Sequence, residues 1–85
     1  MAKYRIEIRE RAEEDFLTIP FPFRRQVNQR IHKLKADPRS DDAEAVGESE
    51  RYRLDVAGWR ILYEIDDAET LVRIVSFRKL EDPKK

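Results

Sequence analysis

The stretch "RYRLDVAGWRILYEID", Arg51 to Asp66, decides the fold because apolar and polar residues alternate on both sides of Ala57-Gly58. If these two residues form a turn, Val56 pairs with Trp59 and a β-hairpin results. A slip of one strand by a single residue would scramble both faces, so the clean sorting supports this register. The apolar face would hold Tyr52, Leu54, Val56, Trp59, Ile61, Tyr63 and Ile65, and the polar face Arg51, Arg53, Asp55, Arg60, Leu62 and Glu64.

The segment before the hairpin predicts one strand and two helices. "KYRIEI" (3–8) alternates like a half-buried strand. Apolar residues then recur about once per helical turn in two stripes, which predicts two helices. The first helix must end before Pro20, because the α conformation is disfavoured for the residue before a proline. The first stripe is Ile8, Ala12, Phe16 and Ile19, with Glu13, Glu14 and Asp15 on the solvated side; the second is Phe23, Val27, Ile31 and Leu34.

The remaining segments predict a loop and a further strand. Residues 37–50 are polar and show no clear period, which is typical of a loop. "LVRIVSF" (71–77) is apolar on both faces, which is typical of a strand inside a sheet. The order β-α-α-β-β-β predicts a single α+β domain over residues 1–85, in which a two-helix hairpin packs on one face of a small, mainly antiparallel sheet.

Composition limits the classes of function. The formal net charge is zero, with 18 basic and 18 acidic residues, so the overall charge gives no argument for a nucleic-acid partner. The chain has no cysteine, which excludes disulfides and thiolate metal sites. No run approaches the roughly 18 apolar residues that a membrane span needs, and the first residues do not resemble a signal peptide. We therefore expect a cytoplasmic protein.

Several familiar kinds of site lack the residues they need. His32 is the only histidine, which argues against a histidine triad or a multi-histidine metal site. The acidic residues of 37–50 lack the spacing of a calcium loop. With only Gly47 and Gly58, no glycine-rich phosphate loop exists.

The arginines of the hairpin leave two interpretations open. They lie on the face that the helices do not cover, and antiparallel sheets commonly have one solvated face. On the first interpretation, the arginines only keep this face soluble. Alternatively, the strand after the hairpin returns Arg78 to the level of Arg60, and Arg53, Arg60 and Arg78 then form one cluster. Guanidinium groups suit phosphate oxygens, both in the ground state and as charge accumulates in a transition state.

The sequence resembles the RelE/ParE superfamily of bacterial toxins from type II toxin–antitoxin systems, and most closely its RelE-like branch. The resemblance extends from Tyr4 to about Leu80 and rests on the element order, the hairpin and the final "VSFRKL". Its most specific part is Tyr52-Arg53-Leu54 followed by Gly58-Trp59-Arg60-Ile61-Leu62-Tyr63.

The resemblance implies a ribosome-dependent endonuclease that cleaves messenger RNA at the A-site codon by attack of a ribose 2′-hydroxyl on the adjacent phosphate. Relatives use basic side chains without a metal or another cofactor. By motif position, Arg53, Arg60 and Arg78 would be catalytic and Arg51 would bind substrate. Lys79, at the end of the last strand, is a further candidate for substrate binding. The implied partners are a cognate antitoxin and messenger RNA on the ribosome, with no membrane.

Two departures keep other functions open. The C-terminal tyrosine of many family enzymes is absent, because the chain reads "KLEDPKK" after Arg78, and the loop before Arg51 is acidic where relatives are often basic. One alternative is a ParE-like inhibitor of DNA gyrase. Another is a binding module of the same fold without enzymatic activity.

Overall fold

The computed structural model describes residues 3–48 and 50–80. Within them, a five-stranded sheet in the order β1-β5-β4-β3-β2 is covered on one face by two helices. β1 runs parallel to β5, and all other neighbouring strands are antiparallel. The predicted α+β fold is therefore confirmed. The elements are β1 (Arg5–Ile8), α1 (Glu10–Phe16), α2 (Phe21–Lys33), β2 (Glu44–Ala45), β3 (Arg51–Val56), β4 (Trp59–Asp66) and β5 (Leu71–Lys79).

The hairpin has the predicted register. Val56 pairs with Trp59, and Asp55 pairs with Arg60. Ala57 and Gly58 have φ values of 54° and 84°, which agrees with the positive φ that a type I′ turn requires at both central positions. β5 lies between β1 and β4, as its apolar character on both faces predicts.

The core lies between the helices and the predicted apolar face. Leu54, Ile61, Tyr63 and Ile65 are at most 1% exposed, and the helices contribute buried residues such as Val27. The Tyr63 hydroxyl donates to the carbonyl oxygen of Pro38 at 2.7 Å, and burial raises the pKa of Tyr63 to about 12. Because the core lies on this face, the polar residues of the hairpin lie on the opposite face of the sheet.

The helical hairpin differs from the prediction at two residues. Phe23, assigned to the apolar stripe, is 41% exposed at the start of α2. Asp15, expected on the solvated side, instead accepts a hydrogen bond from the backbone N–H of Phe77 at 3.3 Å. That contact ties α1 to β5 next to the Phe16–Phe77 ring pair, whose centroids lie 5.5 Å apart. No helix in the described ranges is long and apolar enough to cross a membrane.

The acidic loop of residues 37–50 contains a strand that sequence reasoning missed. β2 is only two residues long and pairs with β3 through Glu44 opposite Arg53 and Ala45 opposite Tyr52. The preceding part of the loop is held by Arg30, which forms an ion pair with Asp42 at 2.5 Å. β2 therefore forms an acidic edge beside the arginines of β3.

Candidate functional site

The exposed face of the sheet is organised in rows of residues that lie opposite each other across the strands. One row, at the end near the β3–β4 turn, contains Asp55, Arg60 and Arg78. The next contains Glu44, Arg53, Leu62 and Ser76. The third contains Arg51, Glu64, Arg73 and Glu7, in which opposite charges alternate. Positive charge is thus compensated at one end of the face and in excess at the other.

A β-bulge in β5 brings Arg78 to this face. Leu62 pairs with Ser76, but the next residue of β4, Tyr63, pairs with Ile74, so Val75 is an extra residue. An extra residue reverses the alternation of side chains beyond it. Arg73 and Arg78 are five positions apart and would lie on opposite faces of a regular strand. The bulge puts both on the exposed face, so Arg78 lies directly opposite Arg60.

Arg53, Arg60 and Arg78 converge on one hollow, which we call the cationic hollow. It has a volume of about 250 Å³, and none of the described residues that line it is acidic. The lining consists of Val46, Arg53, Arg60, Leu62, Ser76 and Arg78. The three residues assigned as catalytic from the sequence are thus brought together on the side of the sheet away from the helices.

Arg53 and Arg60 also line a neighbouring hollow of about 320 Å³ with Asp42, Glu44 and Asp55, which we call the acidic hollow. Arg60 donates to Asp55 through Nε at 2.8 Å and through Nη2 at 3.1 Å, one bond to each carboxylate oxygen. Arg53 donates to a single oxygen of Glu44, from Nε at 3.1 Å and from Nη2 at 2.6 Å. Both guanidinium groups are therefore shared between an internal carboxylate and the cationic hollow.

The ion pair between Asp55 and Arg60 favours the charged forms of both groups. The hydrogen bond to Arg60 is the main reason that the pKa of Asp55 lies below its ordinary value. The same contact raises the pKa of Arg60, and the charge of Glu44 adds to that effect. Arg78 is exposed and has no ion-pair partner among residues 3–48 and 50–80. Of the three arginines that line the cationic hollow, Arg78 is the one without an ion pair to any residue that the structure describes.

The two residues assigned to substrate binding lie elsewhere. Arg51 pairs with Glu64 at 2.7 Å, and the pKa of Glu64 is lowered chiefly by that contact. Arg51 lines a separate hollow of about 460 Å³ at the compensated end of the face. Lys79 follows Arg78 directly, so it projects to the other side of β5, where it lines a hollow with Phe23 and Trp59. The structure does not bring either residue into the cationic hollow.

Sequence reasoning missed three residues of this face. The sequence pattern places Glu44 in a loop, because a two-residue strand carries no periodic signal. Ser76 and Arg73 were not singled out, because the bulge at Val75 hides their shared face from simple alternation.

Chemically, the cationic hollow is suited to an oxyanion. Arginine presents N–H donors in a planar fork that matches the oxygens of a phosphate, and charge-assisted hydrogen bonds of this kind are roughly twice as strong as neutral ones. In the part of the chain that the structure describes, no three His, Cys, Asp or Glu residues are arranged to hold a metal ion.

Comparison with protein families gives a match over nearly the whole chain. Residues 6–82 match the family described as the ParE toxin of the type II toxin–antitoxin system parDE. No curated protein sequence matches the chain.

Several solved structures with the same fold are those of RelE toxins. The isolated E. coli RelE toxin is 22% identical, with a TM-score of 0.84 over 95% of this chain and 88% of that chain. RelE in the intact E. coli RelBE toxin–antitoxin complex is also 22% identical, with a TM-score of 0.82 over 93% of this chain and 99% of that chain. The RelE–RelB complex of Pyrococcus horikoshii gives 17% identity and a TM-score of 0.76, covering 91% of this chain and 94% of that chain. At these identities the likeness establishes the fold.

Proposed function

Because this chain belongs to the ParE toxin family of type II toxin–antitoxin systems, we propose that it acts as a toxin by cleaving messenger RNA in the ribosomal A site. The toxin class follows from the family. The endonuclease activity is our proposal, and it rests on the convergence of Arg53, Arg60 and Arg78 on the cationic hollow.

The proposed reaction is an in-line displacement at a phosphodiester. The ribose 2′-oxygen forms a bond to the adjacent phosphorus, and the bond from phosphorus to the 5′-oxygen of the next nucleotide breaks. The 2′-hydroxyl gives up its proton and the departing 5′-oxygen gains one, so the products are a 2′,3′-cyclic phosphate and a 5′-hydroxyl. Negative charge accumulates on the phosphate oxygens in the transition state, where positioned donors act most strongly.

Arg60 and Arg78 are the proposed clamp on the scissile phosphate, since they lie opposite each other across β4 and β5. Arg53, in the adjacent row, would hold a flanking phosphate or favour the ionised 2′-hydroxyl. A guanidinium group keeps its proton at neutral pH, so arginine side chains are poor proton carriers. Catalysis would therefore depend on electrostatics and on the ribosome to orient the RNA.

The position of Arg51 supports a lesser role for it in substrate binding. Arg51 lies two positions along β3 from Arg53, about 7 Å away at the usual rise of a strand, so a neighbouring phosphate of an extended RNA could reach it. Its pairing with Glu64 reduces the positive charge available there. Lys79 lies on the helix side of β5 and takes no part in the proposed clamp.

A cognate antitoxin completes the proposal. The solved complexes of RelE with RelB are toxin–antitoxin pairs, and we infer a comparable partner for this chain. Acidic antitoxin side chains near Arg78 would neutralise the cationic hollow and compete with RNA. Both the antitoxin and the ribosome would be met in the cytoplasm.

Primer extension on translating ribosomes tests the nuclease. We expect the wild-type protein to produce new RNA ends within A-site codons. Loss of one donor to a developing oxyanion typically costs about 100- to 1000-fold in rate, so the double variant Arg60→Ala, Arg78→Ala should abolish these ends. The control Arg11→Ala, Arg25→Ala removes the same charge from the helices and should cleave like the wild type. Identical ends from the wild type and the Arg60, Arg78 variant would refute the assignment.

A second candidate is inhibition of DNA gyrase, as in ParE-like members of the superfamily. It is favoured by the match to the ParE toxin family and by the carboxylates that engage Arg53 and Arg60. Inhibition of supercoiling at protein concentrations that leave translation untouched would support it over the nuclease.

A further inference from the structure

Arg53 and Arg60 each line both the cationic hollow and the acidic hollow. Among the described residues, none that lines the cationic hollow carries a carboxylate, whereas the acidic hollow is lined by Asp42, Glu44 and Asp55. A phosphate in the cationic hollow would therefore compete for the same guanidinium groups with carboxylates of the chain itself. A carboxylate bound to a guanidinium group uses the N–H donors that a phosphate would use.

Glu44 is the carboxylate that can most readily give way. It lies on β2, an edge strand of only two residues, and its side chain is 66% exposed. Asp55 lies within the six-residue strand β3, beside the turn, and binds Arg60 with both oxygens. The Asp55 side chain is less exposed, at 46%, and Glu44 binds Arg53 through one oxygen only, so displacement of Glu44 costs less than displacement of Asp55.

We propose that Glu44 is a built-in competitor of the RNA phosphate, which occupies Arg53 in the free toxin and must be displaced when RNA binds. This inference rests on the proposed function and names a residue that sets the affinity of the same site. Glu44 lies directly opposite Arg53 in the sheet, contacts it through two donors, and also acts electrostatically on Arg60. Asp55 has the different role of orienting the Arg60 guanidinium group.

We expect Glu44 to weaken RNA binding at low salt, and we expect this effect to disappear at high salt. An exposed ion pair is worth up to about a fivefold change in an equilibrium constant. Salt weakens such a pair, because ions shield exposed charges from each other. Glu44 would thus lower the affinity of the free toxin for RNA, and the ribosome would supply the further contacts that a productive complex needs.

The test measures binding of a short, fluorescent, single-stranded RNA to the purified full-length protein. Methylation of its 2′-hydroxyls prevents cleavage by the proposed reaction. We expect Glu44→Gln to bind about two- to fivefold more tightly than wild type at low salt, with the gain shrinking as salt rises. The control Glu48→Gln makes the same charge change in the same loop. Glu48 lines neither hollow, so this variant should bind like the wild type.

A double-mutant cycle with Arg53→Ala locates the effect. If Glu44 competes for Arg53, most of the gain from Glu44→Gln disappears when Arg53 is alanine. Equal affinities of Glu44→Gln and Glu48→Gln, including no detectable binding by either, would overturn the inference, as would a gain that survives in the Arg53→Ala background. The proposed nuclease fails on a different result, namely unchanged cleavage of ribosome-bound messenger RNA by the Arg60, Arg78 variant.

Discussion

Arg60 of β4 and Arg78 of β5 are direct cross-strand partners, so two like charges face each other on the exposed side of the sheet. Like charges in this position destabilise a sheet. Asp55 partly offsets the charge of Arg60, but Arg78 has no such partner among the described residues. An arrangement that opposes folding and gathers positive charge is typical of a site that binds an anion.

The first prediction is that Arg78→Gln stabilises the fold. Removal of one of two facing charges should raise the free energy of unfolding by about 0.5 kcal/mol at low salt, and the gain should shrink as salt rises. Urea unfolding at several salt concentrations measures it. The matched control is Lys79→Gln, which removes the same charge from the next residue, on the other side of β5. A loss of stability in Arg78→Gln relative to Lys79→Gln would contradict the prediction.

The second prediction concerns the buried hydroxyl of Tyr63. It donates to the carbonyl oxygen of Pro38, itself a buried residue, at 2.7 Å. Tyr63→Phe leaves that carbonyl without its donor, so we expect a loss of about 1–2 kcal/mol in the free energy of unfolding. The control is Tyr52→Phe, because the Tyr52 hydroxyl accepts from Arg39 at an exposed position; we expect it to cost less than about 0.5 kcal/mol. Equal losses in the two variants would contradict this account.

The hairpin was predictable because its pattern is redundant. Alternation in two strands and the Ala57-Gly58 turn all require one register, and a slip in either strand contradicts the other. The buried face and the pairing of Asp55 with Arg60 follow from that register. Here the local pattern and the tertiary structure agree.

The rest of the site was less predictable because it depends on two irregular features. Side-chain alternation along "RIVSFR" places Arg73 and Arg78 on opposite faces, and only the extra residue Val75 brings them together. Strand β2 pairs through Glu44 and Ala45 alone, and a period cannot be read from two residues. The ion pair between Glu44 and Arg53 could therefore not be predicted, although the sequence shows the excess of acidic residues in this loop.

The third prediction is a pH dependence that originates at Asp42. Hydrogen bonds from Arg30, and secondly from Ser40, lower the pKa of Asp42 from its ordinary value of 3.8 to about 2. A carboxyl whose pKa is lower in the folded state stabilises the fold above the unfolded pKa, and this contribution is lost as the pH falls through the folded pKa. The difference in the free energy of unfolding between wild type and Asp42→Asn should therefore shrink between about pH 4 and pH 2.

Urea unfolding at each pH measures this difference. The control is Asp41→Asn, at an exposed neighbouring residue that forms no ion pair within the described part of the chain. Its difference from wild type should change little over the same range. If both variants show the same pH dependence, the ion pair between Arg30 and Asp42 is not its origin.

The fourth prediction is that Ala57→Asn stabilises the protein. Ala57 has a φ of 54°, in the left-handed region, which costs most residues roughly 1–2 kcal/mol but which asparagine adopts more readily. Asn-Gly is also the preferred pair for a type I′ turn. We expect a gain of about 0.5–1 kcal/mol, measured by thermal and urea unfolding. Ala68→Asn is the control, because Ala68 lies in the turn before β5 without a positive φ. A gain of the same size there would show that the backbone conformation of Ala57 is not the cause.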